Sequence, residues 1–89
     1  MNKKHESELV TVFQKASENK EVLREFLLDI LTPAEYGEVV TRWQIVKRLA
    51  EGEAQRTIAR DLKVGIGTVT RGSRELADKN GGFAKMIIK

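Results

Sequence analysis

Cysteine is absent from the 89 residues, which excludes a disulfide framework and any thiolate metal site. Proline occurs once, aromatic residues make up 6% of the chain, and helix formers dominate. No apolar run approaches the ~20 residues of a membrane span. Residues 1–8, Met-Asn-Lys-Lys-His-Glu-Ser-Glu, lack the apolar core of a secretory signal, so a cytoplasmic protein is expected. The single histidine, His5, sits near the terminus, and neither a nucleophile–base pairing nor a metal-ligand spacing occurs. The expectation is therefore of a protein that is not an enzyme and holds no metal. The length suits one domain, or part of a shared one, and so short a chain gains from association with a second copy.

The charge that is present is unevenly spread. Residues 1–41 carry five basic and eight acidic side chains. Residues 42–74 carry eight basic and three acidic ones, a local excess of +5 within a net charge of +3. An acidic half followed by a basic half suggests that the second half meets phosphate, although a solvated basic face has the same composition.

Apolar periodicity predicts an all-α chain. Leu9, Val12, Phe13 and Ala16 form one helical stripe, and Leu23, Phe26, Leu27, Ile30 and Leu31 form a second, with a boundary at residues 17–20. Thr32-Pro33-Ala34-Glu35 is a helix start: Thr32 caps, Pro33 suits the first position, and Glu35 completes a capping box. That helix should stop at Gly52. Its apolar residues, from Val39 and Val40 through Trp43 to Ile45, Val46 and Leu49, cover more than one face, so the second face is expected to meet a partner. Gly37 inside it costs roughly 1 kcal/mol relative to Ala, which predicts a close contact or local looseness.

Two shorter helices follow, Gln55 to Leu62 and Ile66 to about Ala77, joined by Lys63-Val64-Gly65. The first offers Ile58, Ala59 and Leu62 to a core. The second places Ile66, Val69, Ser73 and Leu76 on one face and Gly67, Thr68, Arg71 and Arg74 opposite. This is the pattern of a helix-turn-helix over residues 54–78. Gly67 and Thr68 would let the backbone approach base edges. Thr68, Thr70 and Ser73 would bond phosphates or bases, Ile66 would pack on a thymine methyl, and Arg56 would reach guanine or the backbone. An ordinary packed helix pair fits the same pattern. Lys63 stands where glycine is favoured, and Ala54 is a poor cap. Residues 82–89 are expected to form a short last helix.

The run Gly65-Ile66-Gly67-Thr68-Val69-Thr70-Arg71-Gly72-Ser73 resembles the recognition-helix signature of tryptophan repressors. So do Leu31-Thr32-Pro33, Thr41-Arg42, Ile45-Val46, Glu51-Gly52-Glu53 and Gln55-Arg56, in order and near the expected spacing. The resemblance covers about residues 31–76. It implies a single domain that forms an intertwined helical homodimer through about residues 5–53. It further implies a transcriptional repressor that binds a palindromic operator in double-stranded DNA, with L-tryptophan as corepressor and tryptophan biosynthesis or transport genes as targets.

By the same resemblance Arg42 and Arg71 would hold the indole between their guanidinium planes. Arg71 and Thr32 would meet the ligand carboxylate, the Leu31 carbonyl would take its ammonium group, and Gly72 would leave room beside the ring. Gln55, Arg56, Arg60, Ile66, Gly67, Thr68, Thr70, Arg71 and Ser73 would face DNA. Plainer roles exist for several: an ion pair with Glu38 or Glu35 for Arg42, helix capping for Thr32, helix packing for Gly72, and a core or dimer anchor for Trp43.

The chain departs from the family pattern at several places, among them a short tail that is expected to abbreviate the last helix. One residue is missing before Gln55, leaving only Ala54. Ala59 replaces a basic residue. Glu75 stands beside the ligand's amino group where the classical family has serine, and it could attract an ammonium or pair with Arg71 and close the pocket. A regulator of the same fold that answers to another ligand or to none is the nearest alternative. A helical protein-interaction module without DNA binding is the alternative from another class.

Overall fold

The computed structural model describes residues 1–87. Among them the secondary structure is helical throughout: α1 (Lys3–Ala16), α2 (Lys20–Ile30), α3 (Pro33–Ala50), α4 (Gln55–Leu62), α5 (Ile66–Ala77) and α6 (Gly82–Ile87). The last two residues of the expected C-terminal helix lie outside the described ones. The chain divides into two compact units, Met1–Tyr36 and Gly37–Lys89.

Local chemistry sets the helix starts of the first unit. The Asn2 side chain accepts from the N–H groups of Lys4 and His5, and Asn19 accepts from those of Glu21 and Val22. At α3 the capping box is complete. The Thr32 N–H donates to Glu35 Oε1 at 2.9 Å, and the Glu35 N–H donates to Thr32 Oγ1 at 3.1 Å. Hydrogen bonding from Thr32, first from its backbone N–H and then from its side chain, holds the Glu35 carboxyl below its ordinary pKa. Helix α1 packs on α2, with the Phe13 and Phe26 rings edge to face and their centroids 5.1 Å apart. Only Ala16 of this unit is buried, while Leu9, Val10, Val12, Val22, Leu28 and Ile30 remain exposed.

The second unit has a true core. Ile45 of α3, Ile58 of α4 and Val69 of α5 are buried together, and Leu49, Ala59, Leu62 and Val64 pack against them. Helix α3 ends as expected at Gly52, whose φ of +89° carries the chain out of the helix. The Gly52 N–H donates to the Leu49 carbonyl and the Glu53 N–H to that of Arg48. Helix α4 ends on the same bonding pattern, Lys63 N–H to Arg60 O and Val64 N–H to Ala59 O. There the left-handed residue is Lys63 itself, at φ 57° and ψ 46°. Ala54 makes no side-chain cap at the start of α4.

Ile66 is 51% exposed where it opens α5 ahead of the buried Val69, and Val64 in the preceding connection packs on the core. Of the two roles expected for Trp43, a core role does not hold within the chain, where it is 36% exposed beside Val39 and Val40 on α3. At Gly37 no neighbouring atom lies within 4 Å of where a Cβ would stand, so of the close contact or local looseness expected there the close contact is not found within the chain.

Candidate ligand cavity and nucleic-acid interface

One face of α5 carries Thr68, Arg71, Gly72 and Glu75, spaced i, i+3, i+4, i+7 so that they align along the helix. This face turns toward Arg42, Ile45 and Val46 of α3, with Phe83 of α6 alongside. Together these residues line a cavity of about 320 Å³. Ligand pockets run from about 300 to 1,000 Å³, so the volume suits a small molecule rather than a large cofactor. The buried Ile45 and Val46 supply an apolar wall, Phe83 supplies a ring, and Arg42, Arg71 and Glu75 supply charge.

Gly72 is what lets α5 lie so close to α3. A Cβ there would stand 3.0 Å from Ile45 Cγ2, 3.7 Å from Leu49 Cδ1 and 3.9 Å from Val46 Cγ2. Arg42 forms an ion pair with Glu38, Nη2 to Oε2 at 3.6 Å. Arg71 and Glu75 form no ion pair with each other or with any other described residue.

The structure thus brings together Arg42, Arg71, Gly72 and Glu75 of the expected ligand set. Leu31 and Thr32 lie in the first unit, where Leu31 ends α2 and the Thr32 hydroxyl accepts the Glu35 N–H. Sequence reasoning missed Phe83 and Thr68 as cavity residues. Thr68 stood three residues before Arg71 on the same helical face, which was a usable signal. Nothing local marked Phe83.

The exposed surface of α4, α5 and the turn between them is basic. Arg56, Lys63, Arg71 and Arg74 are exposed and carry no ion pair among the described residues. Ile66, Gly67, Thr68 and Thr70 are exposed on α5, while Ser73 and Gln55 are half-buried. Thr70 Oγ1 lies 2.9 Å from Gln55 Oε1 and 3.0 Å from the Ile66 carbonyl, joining the first turn of α4 to that of α5. Arg60 lies 3.5 Å from Asp61.

A further feature was not foreseen from the sequence. Arg48 of α3 reaches Glu53 through Nε at 2.8 Å and Asp61 of α4 through Nη2 at 2.8 Å. These bonds raise the Arg48 pKa and hold the Glu53 and Asp61 carboxyls below their ordinary values. The arrangement ties α4 to α3 across the uncapped turn at Ala54. It also accounts for two of the three acidic residues in the basic half.

An all-helical chain with a small-molecule-sized cavity against one basic helix defines the general class. The chain belongs to the Trp repressor protein family, whose model matches residues 4–89. That family consists of transcription regulators rather than enzymes. The chain is 39% identical over 75 residues to a Trp operon repressor homolog of Vibrio campbellii, covering 82% of this chain and 73% of the relative. It is 48% identical over 52 residues to one of Vibrio vulnificus, covering 57% of this chain and 51% of the relative. It is 40% identical over 73 residues to one of Aliivibrio fischeri, covering 79% and 65%. The match thus spans about half the length of the Vibrio vulnificus relative. No solved structure gives a significant match. Among the described residues no helix is long and apolar enough to cross a membrane, and no cluster of metal-ligating side chains occurs.

Proposed function

We propose that the chain is a transcriptional repressor that binds double-stranded DNA as a cytoplasmic homodimer, with L-tryptophan as corepressor. The observation that carries this reading is that α5 is shared. Its inner face lines the cavity while its front and outer side expose Ile66, Gly67, Thr70 and Arg74. A ligand in the cavity therefore acts on the helix offered to the major groove. Helices α4 and α5 form the helix-turn-helix, with Arg56, Lys63 and Arg74 toward phosphates. Val39, Val40 and Trp43 on α3, with the exposed apolar residues of α1 and α2, support a dimer interface.

In this reading the indole lies between Arg42 and Arg71 against Ile45 and Val46. Two α5 helices in a dimer would then stand about 34 Å apart, the half-site spacing of helix-turn-helix dimers, among which Trp repressors are a known example. The ligand favours that arrangement over others, and the coupling is reciprocal: operator DNA tightens L-tryptophan binding by the same factor.

The test is binding of fluorescent duplexes, selected from a randomised library, with and without L-tryptophan over a salt series. Affinity that rises with L-tryptophan and falls steeply with salt supports the reading. Tryptophan-independent affinity removes the corepressor, and absence of salt-dependent binding removes the DNA function.

A further inference from the structure

Asp61 stands where two physical effects oppose it. It lies in the last turn of α4, where a carboxylate faces the negative end of the helix dipole. It also lowers the positive charge of the surface that presents Arg56, Arg60 and Lys63. What it meets is Arg48 of α3, whose Nη2 donates to Asp61 Oδ2 at 2.8 Å while its Nε donates to Glu53 Oε1 at 2.8 Å. The Glu53 N–H in turn donates to the Arg48 carbonyl at 3.1 Å. One guanidinium therefore closes the turn after α3 and reaches across to α4. Its side chain is only 19% exposed, so water competes for it less than for a surface ion pair. Among the described residues no other side-chain hydrogen bond or ion pair joins α3 to α4.

The start of α4 lacks the usual means of fixing a helix. Ala54 holds the capping position in extended backbone, φ −69° and ψ 140°, but makes no side-chain cap to the N–H groups of the first turn. Gln55 and Arg56 belong to that turn, and from α5 the Thr70 hydroxyl donates to Gln55 Oε1. We propose that Arg48 is a positioning residue for the helix-turn-helix: its link to Glu53 and Asp61 takes the place of the missing cap and sets the pose of α4 in which Arg56 and Arg60 meet DNA. This role rests on the DNA-binding reading above and adds to it a residue that acts through others. A plain charge effect has the opposite sign at Asp61. Asp61→Ala raises the net charge by one and introduces the best helix former, so charge alone strengthens DNA binding, whereas loss of the link weakens it.

The experiment is titration of a fluorescent duplex, selected from a randomised library, with the unaltered chain, Arg48→Met, Asp61→Ala, Ala54→Ser and each of the first two variants combined with Ala54→Ser. L-tryptophan is held at one concentration, and the temperature is one at which circular dichroism shows the proteins folded. Arg48→Met and Asp61→Ala should each bind about fivefold more weakly, the scale of one lost helix cap. Ala54→Ser should restore most of that loss in both, yet change the unaltered protein less than about twofold, because the new cap and the link are alternatives. If Arg48→Met does not fold, Asp61→Ala with and without Ala54→Ser carries the same comparison. Asp61→Ala binding as tightly as the unaltered protein, or more tightly, overturns the proposal. So does an equal gain from Ala54→Ser in every background, which is what a merely structural role gives. Absence of salt-dependent duplex binding by the folded, unaltered chain overturns both this role and the DNA-binding reading.

Discussion

A Cβ on Gly72 would approach Cγ2 of Ile45 to 3.0 Å, so the closeness of α5 to α3 depends on this glycine having no side chain. Ile45 is only 1% exposed and cannot swing its methyl into solvent. Gly72→Ala gains up to about 1 kcal/mol of helix propensity but overpacks the contact at a cost of about 1–3 kcal/mol. The expected outcome is a net loss of about 1 kcal/mol in urea denaturation at fixed chain concentration, with weaker ligand binding because Gly72 also lines the cavity. A variant more stable than the parent would show that α3 and α5 can part without penalty.

The Arg48–Glu53–Asp61 cluster should make stability sensitive to acid. Both carboxyls have their folded pKa lowered, first by hydrogen bonds from Arg48. Groups of this kind contribute fully above their unfolded values, that is above about pH 5, and the contribution is lost as pH falls through the lower folded values. Arg48→Met should therefore flatten the decline of stability between about pH 5 and pH 3. Some slope should remain from Glu35, held low by Thr32. An identical slope in the variant would mean that the cluster does not persist in solution.

Lys63 adopts φ 57° and ψ 46°, a left-handed conformation that is costly for a residue with a Cβ. Lys63→Gly relieves that cost, against greater freedom in the unfolded chain, and should stabilise the protein by up to about 1 kcal/mol. Because it also removes an exposed positive charge, its DNA affinity should fall and depend less on salt. Melting curves and salt titrations read the two effects separately.

Thr32 caps α3, and the family resemblance implies for it a second role, a contact to the ligand carboxylate. Thr32→Ala should cost about 1 kcal/mol of stability through loss of the cap. Thr32→Asp keeps a good capping acceptor while setting a negative charge against a carboxylate, so it should retain stability and lose L-tryptophan affinity. Equal behaviour of Thr32→Asp and the unaltered protein toward L-tryptophan would leave Thr32 with the cap alone.

The sequence by itself determined the helices and their ends, because those signals act over three or four residues. Thr32, Pro33 and Glu35 start α3 where their chemistry requires, Gly52 ends it, and the bounds of α4 and α5 follow from apolar spacing. The ligand set of Arg42, Arg71, Gly72 and Glu75 came from the resemblance, while helical spacing alone grouped Arg71 with Gly67, Thr68 and Arg74. Tertiary structure alone decided which of Glu38 and Glu35 pairs with Arg42, and that Arg48 reaches both Glu53 and Asp61. It also decided that Phe83 walls the cavity while Ile66 stays in solvent. Such contacts join residues on different helices or across a turn. They depend on how closely α3, α4 and α5 approach, which side-chain volumes such as those of Gly72 and Ile45 set and helical periodicity does not encode.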